Sequence, residues 1–413
     1  MAGSRAGGEA AGADRAERDV RSVRRRIRVI IAVCAASLVL TIGGTADYVY
    51  EHLSRNIHTA GDLNSLPDRP AAGPGMNVLL LGSQTRDGQV GQFGGTAGTD
   101  LSDTSMLLHV SKDRKYALVL SIPRDTIIDR PACPTRDGAG TLPAQQRAMF
   151  DASMSLGGPL CAAASVEQYF HVRVDHFIRL DFNGFRNLVT YLGGVEVCIP
   201  PGGIDDPFSH LDLPAGRHLV TGDEALAFVR DRHGIGDGSD LGRIEMQKMF
   251  LTSLITKIDG SGTLTDAGKL YKLADIATSS ITTDSALGSV VALLDLATEL
   301  RGVKPHNIHF ITLPTVPDRT DPNRVDPAPQ ASAVWNVITN DQSLDDITTV
   351  TTAPTPSTPA RQPAPAADST GGSPTPSPTA GDLKDRAADA DICSNLPQPN
   401  PKYVAGDLPA RTP

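Results

Sequence analysis

The pattern of apolar and polar positions divides the chain into an apolar span, a folded body and a polar tail. Residues 29–46 contain no charged side chain. A helix needs about 20 residues to cross the hydrocarbon core of a bilayer, so this run predicts a transmembrane helix over 29–50. Residues 51–75 are predicted to be a spacer, since their second half is rich in Gly, Pro, Asp and Ala.

A basic cluster stands immediately before the apolar span. Its members are Arg24, Arg25, Arg26 and Arg28. The positive-inside rule therefore predicts that 1–28 is a cytoplasmic segment and that the chain from about residue 50 onward lies outside the cell membrane. A cleaved signal peptide is the alternative, because Gly44 and Ala46 form a small-x-small site.

Short apolar runs in the body predict strands, and longer amphipathic runs predict helices. The predicted strands are 76–82, 105–111, 116–122, 174–181, 194–199 and 307–313. The predicted helices are 145–156, 162–170, 183–192, 222–229, 240–257, 265–278 and 284–301. Strands that alternate with helices indicate an α/β or α+β sandwich.

The end of the chain has a different composition. Thr, Pro, Ser and Ala dominate residues 350–382, and such a segment cannot bury enough apolar surface to offset its chain entropy. We therefore place the folded body at 76–337 and a disordered tail at 338–413.

Charge excludes one class of partner. Residues 1–28 carry eight Arg and four acidic residues, a net of +4, and the whole chain carries −9, so the remainder carries −13. An acidic body argues against a nucleic-acid partner, because that binding depends on cations that neutralise phosphates. Arg outnumbers Lys 29 to 9, a bias that GC-rich codons produce and that favours an actinobacterial source.

Four cysteines lie beyond the apolar span, an even number in a compartment predicted to be oxidising. They show no CxxC spacing and no neighbouring His, which argues against a zinc site. Cys133 and Cys161 are the nearest pair and flank a Gly-rich excursion, so a disulfide between them is predicted. Cys198 with Cys393 is the second prediction, and a bridge from Cys198 to either of the first two is the alternative.

Four arginines at predicted strand ends and loop edges are candidates for a phosphate site. They are Arg124, Arg230, Arg232 and Arg243. The planar guanidinium group matches phosphate oxygens two at a time. Ordinary surface ion pairs with Asp125 and Asp231 are the alternative.

The helix predicted to open at Asp240 makes the phosphate interpretation stronger. Asp240 is suited to an N-cap, which puts Arg243 in the first turn, where the helix dipole disfavours a cation unless an anion is close. Backbone N–H groups at a helix N-terminus bind phosphate, and Gln247 lies one turn further on the same face.

An acidic pair precedes the second predicted strand. Asp100 and Asp103 stand in the motif GTDLSDTSM. Magnesium typically takes one or two carboxylates while substrate phosphates fill further positions. Turn formation is the alternative, because Asp is common in turns for reasons that involve no metal.

Seven motifs in this order resemble the LytR-CpsA-Psr family of wall glycopolymer ligases over about 76–337. They are NVLLLGS, SDTSMLLHV, SIPRD, DHFIRLDF, LGGVEVC, GDEALAFVRDRH and DLGRIEMQKMFL. The resemblance implies a three-layer α-β-α sandwich with a central mixed sheet and a hydrophobic polyprenyl groove. It also implies a membrane-anchored phosphotransferase that moves a phosphoglycan from a polyprenyl-pyrophosphate carrier to peptidoglycan.

The resemblance also assigns roles to residues. Arg124, Arg230, Arg232 and Arg243 match pyrophosphate-binding arginines, Asp103 matches a metal ligand, and Asp240 and Gln247 match further polar positions. The family usually has Asp where this chain has Gln84, a weaker ligand for magnesium or manganese. Either Asp87 or Asp100 replaces it, or Asp103, Gln84 and substrate oxygens hold the cation.

Two other functions fit the same motifs. A non-catalytic wall-glycan scaffold would keep the fold and lose turnover, as the Gln84 departure allows, whereas retention of all four arginines argues against it. A polyprenyl-pyrophosphate hydrolase would use water in place of the acceptor hydroxyl. Asp103 and Asp125 are the candidate general bases for the transfer reaction.

Overall fold

The computed structural model describes residues 34, 37–38, 40–41, 43–83, 102–260, 266–344, 386–394 and 396–403, with only the backbone at 102–103. The described residues fall into two units, which divide between Arg55 and Asn56. In the first unit, residues 43–55 are helical. Across the described ranges, no helix is both long enough and apolar enough to cross a bilayer. Part of the predicted transmembrane helix over 29–50 lies outside those ranges.

An eight-stranded mixed sheet forms the centre of the second unit. Its strands are β1 (His58–Thr59), β2 (Met76–Ser83), β3 (Ser102–Val110), β4 (Ala117–Ser121), β9 (His176–Asp181), β14 (Ile281–Thr283), β15 (Ile308–Thr312) and β18 (Arg386–Ala387). They are ordered β1-β14-β9-β2-β3-β4-β15-β18. Strand β2 runs parallel to β9 and antiparallel to β3, and β4 runs antiparallel to β3 and parallel to β15.

Shorter strands form five two-stranded ribbons beside this sheet. They are β5 (Ile127–Arg130) with β8 (Gln145–Met149), β6 (Cys133–Pro134) with β7 (Thr141–Leu142), β10 (Val195–Ile199) with β13 (Gly216–Val220), β11 (Ile204–Asp206) with β12 (Leu211–Leu213), and β16 (Thr315–Pro317) with β17 (Val325–Pro327). The predicted strand 194–199 is therefore present as β10, but it is outside the main sheet.

The described α-helices of this unit lie between the strands. They are α1 (Phe150–Phe170), α2 (Phe182–Tyr191), α3 (Gly222–Arg230), α4 (Asp240–Gly260), α5 (Ala267–Ser280), α6 (Val290–Leu300) and α7 (Ala331–Asn340). Side-chain caps fix three of their starts. Asp181, Asp266 and Ser289 accept hydrogen bonds from backbone N–H groups of the first turns of α2, α5 and α6, respectively, which are donors that a helix leaves unsatisfied.

Both faces of the sheet are buried, because alternate side chains of a strand point to opposite faces. Leu79 and Leu81 of β2 pack with α1 and with Val334 of α7 on one face. On the other face, Met106 of β3 and Phe310 of β15 pack with α4. The predicted three-layer α/β arrangement with a central mixed sheet is thus observed.

The predicted helices 145–156 and 162–170 are replaced by a strand and one kinked helix. Residues 145–149 form β8, and α1 runs from Phe150 to Phe170. Inside it Gly158 has φ 70° and ψ −164°, and Pro159 follows. Glycine adopts positive φ without a steric penalty, so the two helical segments continue across the kink. The sequence pattern detected the interruption but placed the first helix too early.

Both predicted disulfides are present. Cys133 is bridged to Cys161, and Cys198 of β10 is bridged to Cys393. The second bridge changes the interpretation of the tail, because Cys393 lies in the segment predicted to be disordered.

Residues 386–403 of the predicted tail 338–413 pack against the body in the part that the structure describes. Strand β18 pairs with β15, and Ile392 joins the apolar cluster around β10 and α3. Gly236 N–H donates to Gln398 O at 2.8 Å, and Asn400 N–H donates to Gly234 O at 2.9 Å. The prediction of disorder therefore does not hold for these residues. Composition missed them because their order depends on a distant disulfide and a sheet edge.

Breaking the Cys198–Cys393 bridge is expected to release this segment. The bridge joins residues 195 apart in sequence, and loss of a native disulfide typically costs about 2–5 kcal/mol. The Cys198→Ser/Cys393→Ser variant should unfold at a lower denaturant concentration, and limited proteolysis should cut near residues 386–403 first. Cys34→Ser is the control, because Cys34 is exposed and unbridged. Equal protease resistance in both variants would contradict the packing described above.

Candidate active site

The candidate site lies at one edge of the central sheet. Strands β2, β4, β9 and β15 all end at this edge, and β3 begins there, because the pairing of Ser83 with Ser102 and with Asp181 brings these termini together. Arg124 follows the end of β4. Arg230 is the last residue of helix α3, Arg232 lies two residues beyond it, and Arg243 is in the first turn of α4. The predicted site residues thus enter the same region from different parts of the chain.

Asp240 connects two of the arginines. Its Oδ2 accepts a hydrogen bond from the backbone N–H of Arg124 at 3.0 Å, and its carboxylate forms an ion pair with the Arg243 guanidinium. Arg243 is only 2% exposed and Asp240 only 5%. A buried guanidinium group requires such compensation, because desolvation of a charge is costly without a paired partner.

Arg232 joins this pair electrostatically. Burial lowers the pKa of Arg232 most, and the positive charges of Arg124 and Arg243 lower it further, whereas Asp240 and Asp125 partly offset them. Its Nε has no hydrogen-bond partner among the described residues. Three arginines therefore lie within electrostatic reach of one another, in a region with limited access to water. Such an arrangement favours an anion bound between them.

Arg230 lies at the same edge but in a different contact. Its guanidinium carbon is 5.0 Å from the centroid of the Phe182 ring, a distance suited to a cation–π interaction. Phe182 opens helix α2 directly after β9. The structure therefore brings Arg124, Arg232 and Arg243 together and holds Arg230 against the end of β9.

Gln247 is one turn beyond Arg243 and is 5% exposed. Its Nε2 donates to Thr104 Oγ1 at 2.8 Å and to Val229 O at 3.0 Å. These bonds tie helix α4 to the start of β3 and to the end of α3. Direct contact of Gln247 with a substrate stays a prediction, and its observed contacts position the elements that carry the arginines.

The metal candidates fall at the limit of the described chain. Gln84, Asp87 and Asp100 lie outside the described residues, and Asp103 is described only as backbone within β3. Within the ranges that the structure covers, no group of three or more His, Cys, Asp or Glu is arranged to hold a metal ion. The described side chains offer no carboxylate set for magnesium or manganese, and the metal site stays a prediction.

Arg324 and Asp206 lie near the predicted residues but were not themselves predicted as parts of the site. Arg324 Nη1 lies 3.3 Å from Asp125 Oδ1, and Arg124 Nε lies 3.7 Å from the same oxygen. Asp125 is thus held between two guanidinium groups. Asp231, expected as a surface partner of the arginines, is instead buried against Asp206. No sequence signal marks Arg324 or Asp206, since both are distant along the chain.

Comparison with known proteins identifies the family of this chain. A sequence profile of the LytR_cpsA_psr family matches residues 38–348. The chain belongs to the LytR_cpsA_psr family. The match covers the sheet except β18, the arginine-bearing segments and helix α7, and it extends beyond the resemblance at 76–337.

Curated relatives of this LytR_cpsA_psr protein are bacterial cell-wall proteins. The cell wall biosynthesis protein LcpA of Corynebacterium glutamicum is 30% identical over 71% of this chain and 59% of its own length. The teichoic acid transferase TagU of Oceanobacillus iheyensis, named polyisoprenyl-teichoic acid–peptidoglycan teichoic acid transferase, is 26% identical over 68% and 84%. The chain spans 59% and 52% of the first two relatives that it matches, LcpA and LcpB of the same Corynebacterium.

Solved structures share the fold. A LytR-Csp2A-Psr enzyme from Actinomyces oris superposes with a TM-score of 0.50 at 19% identity, over 68% of this chain and 96% of that one. TagV of Bacillus subtilis gives 0.50 at 22% identity, over 65% and 98%. These likenesses establish that the LytR_cpsA_psr chain has the same α/β architecture as those proteins.

Substitution of Arg232 tests whether the arginine cluster is built for an anion. Because Arg124 and Arg243 repel its charge, Arg232→Ala should keep or raise the melting temperature. Loss of one charge-assisted hydrogen bond of about 1.5–3 kcal/mol should weaken pyrophosphate binding by roughly 10- to 100-fold. Calorimetric titration with inorganic pyrophosphate and thermal unfolding measure the two effects.

Arg217→Ala is the matched control, because Arg217 is 49% exposed and pairs with Glu196 on the surface. It should leave pyrophosphate affinity unchanged. Equal affinity of the Arg232→Ala and wild-type proteins would show that these arginines serve only in ion pairs.

Proposed function

We propose that the chain transfers a phosphoglycan from a polyprenyl-pyrophosphate carrier to a hydroxyl group of peptidoglycan. The observation that carries this proposal is the cluster of the buried Arg243 with the partly buried Arg124 and Arg232, whose positive charges oppose one another near the N-terminus of helix α4. Membership of the LytR_cpsA_psr family and similarity to TagU, named as a polyisoprenyl-teichoic acid–peptidoglycan teichoic acid transferase, support the same class of donor and acceptor.

The reaction is a phosphoryl transfer. The acceptor hydroxyl oxygen forms a bond to the phosphorus that carries the glycan, and the bond from that phosphorus to the bridging oxygen breaks. The bridging oxygen leaves with the electron pair as polyprenyl phosphate, and the hydroxyl proton passes to a base. Catalysis of this kind depends mainly on positioning and on stabilisation of charge at the phosphate oxygens.

The described residues supply both effects. The ion pair with Asp240 holds the guanidinium group of Arg243 before the donor arrives, so little reorganisation of this group is needed when charge develops. Free backbone N–H groups at the start of α4 add to the positive potential. Asp240 fixes Arg243 and the backbone of Arg124 in one arrangement. Asp103 and Asp125 remain the candidate bases, and Asp125 is paired to two arginines.

A divalent cation fits the reaction as a source of further positive charge at the phosphates. Its candidate ligands are Asp103, Gln84 and Asp100. The cation would add to the positive charge that the arginines provide, and the arginines would bind and orient the pyrophosphate.

The cell membrane is the proposed location, with one transmembrane helix at 29–50 and the catalytic body outside the cytoplasm. The arginines before the apolar span support this orientation. Two disulfides support an oxidising compartment, since such bonds are rare in the cytosol. A polyprenyl carrier anchored in the same bilayer would then reach the arginine site through the hydrophobic groove implied by the family.

Product analysis tests the proposal directly. The full-length protein would be incubated with a polyprenyl-pyrophosphate-linked glycan, with and without nascent peptidoglycan. We expect polyprenyl phosphate to appear together with peptidoglycan-bound glycan, and Arg243→Ala to reduce the rate by about 100- to 1000-fold. Arg217→Ala should react at the wild-type rate.

Two outcomes would contradict transfer. Release of free phosphoglycan at the same rate without acceptor would indicate a hydrolase. Tight donor binding with no product from the wild-type protein would indicate a wall-glycan scaffold.

A further inference from the structure

Two carboxyl groups are buried behind the segment that carries Arg230 and Arg232. Asp231 lies between these arginines and has an extended backbone, with φ −59° and ψ 130°. The Asp231 carboxyl group makes a hydrogen bond with Asp206 at the end of β11. Both carboxyl-bearing residues have 0% exposure.

Hydrogen bonds fasten these carboxyl groups to two loops. Ser209 Oγ donates to Asp231 Oδ1 at 3.1 Å, and Gly234 N–H donates to the same oxygen at 3.3 Å. Backbone N–H groups of Phe208 and Ser209 donate to Asp206 at 2.9 and 3.2 Å. Residues 206–209 are thus connected to residues 231–234 through the carboxyl pair.

The contact between the two carboxyl groups requires a proton. Asp231 Oδ2 is buried and finds no donor among the described side chains. Two carboxylates that face each other without water repel, whereas one proton shared between them forms a hydrogen bond. Burial, the hydrogen bond to Asp206 and the charge of Asp206 raise the pKa of Asp231 to about 8.

The pKa of Asp206 is shifted in the opposite direction. Burial acts to raise its pKa, but hydrogen bonds with Asp231, Phe208 and Ser209 outweigh burial, and His233 adds to them, so its pKa is lowered. His233 Nδ1 lies 3.3 Å from Asp206 Oδ2, and the His233 ring contacts Tyr403. The titratable groups facing the pair are thus each other's carboxyl and His233, with Tyr403 behind it. Near neutral pH, Asp231 is protonated and Asp206 is ionised.

We propose that Asp231 and Asp206 share one proton and so form a latch that holds Arg230 and Arg232 in position for the pyrophosphate. Asp231 is a positioning residue, because it acts on the phosphate only through the backbone between the two arginines. The inference rests on the proposed function for its activity readout and on the buried contacts alone for its stability readout.

Alkaline pH should open the latch. When Asp231 loses its proton, two buried negative charges face each other and the loops 206–209 and 231–234 separate. The raised pKa of Asp231 also makes the free energy of unfolding depend on pH. Between about pH 4 and pH 8 the folded protein keeps a proton that the unfolded chain has lost, so this contribution falls as pH rises and is gone above about pH 8.

Asp231→Asn separates the latch from a general structural role. The amide can donate to Asp206 and accept from Ser209 and Gly234, as the protonated acid does, but it does not titrate. For the full-length wild-type protein we expect the transfer rate at about pH 9 to be roughly one tenth of its rate at about pH 7. For Asp231→Asn, the rate at about pH 9 should stay within roughly twofold of that variant's own rate at about pH 7. Asp212→Asn, an exposed carboxylate on β12, should retain the wild-type decline.

Thermal unfolding provides a readout that does not need the transfer reaction. The melting temperature of the wild-type protein should fall between about pH 7 and pH 9, and Asp231→Asn should remove part of that fall. Should Asp231→Asn not fold, Asp206→Asn takes its place, because a neutral amide at that position leaves Asp231 free to ionise without repulsion.

Parallel alkaline profiles for the wild-type protein and the variant, in both rate and melting temperature, would overturn the latch. A wild-type protein with no transfer activity at about pH 7 but with the expected melting-temperature difference would instead retain the latch and reject the proposed function.

Discussion

Three positively charged arginine side chains lie close together at one edge of the central sheet, and the surrounding structure has to compensate their repulsion. Burial lowers the pKa of Arg232 most, and the positive charges of Arg124 and Arg243 lower it further. Placing such charges together costs free energy, and a protein recovers it only through paired anions and precise hydrogen bonds. Asp240 supplies part of that compensation within the chain, and a bound pyrophosphate supplies the rest in the proposed function.

The surrounding fold holds these groups from several directions. Arg124 follows strand β4, and Arg243 is in the first turn of helix α4. Hydrogen bonds of Gln247 connect α4 to β3 and to α3. From behind, the carboxyl pair Asp206 and Asp231 fastens the segment that bears Arg232. The C-terminal segment pairs with the loop after that segment through Gly234 and Gly236, and the Cys198–Cys393 bridge secures it. Residues far from the arginine cluster therefore contribute to its geometry.

The sequence predicted most of the sheet, and it named the arginines that the structure brings to one edge of that sheet. Runs such as 76–82 are apolar on both faces because helices cover both sides of the sheet, and this pattern is visible without a structure. The arginines were recognisable by their chemistry and by the position of Arg243 at a helix start. In contrast, residues 145–149 looked helical and form β8, since their pairing with β5 is a tertiary contact. The ordered part of the tail and the Asp206–Asp231 pair were missed because each depends on contacts between distant residues.

A crystal structure of the protein with farnesyl pyrophosphate is the most direct test of the central claim. We expect the pyrophosphate oxygens to lie at charge-assisted hydrogen-bond distance, about 2.7–2.9 Å, from the guanidinium groups of Arg124, Arg232 and Arg243. We also expect the ligand to approach the N-terminus of helix α4. A pyrophosphate bound elsewhere, with the three guanidinium groups turned to different faces, would contradict the account.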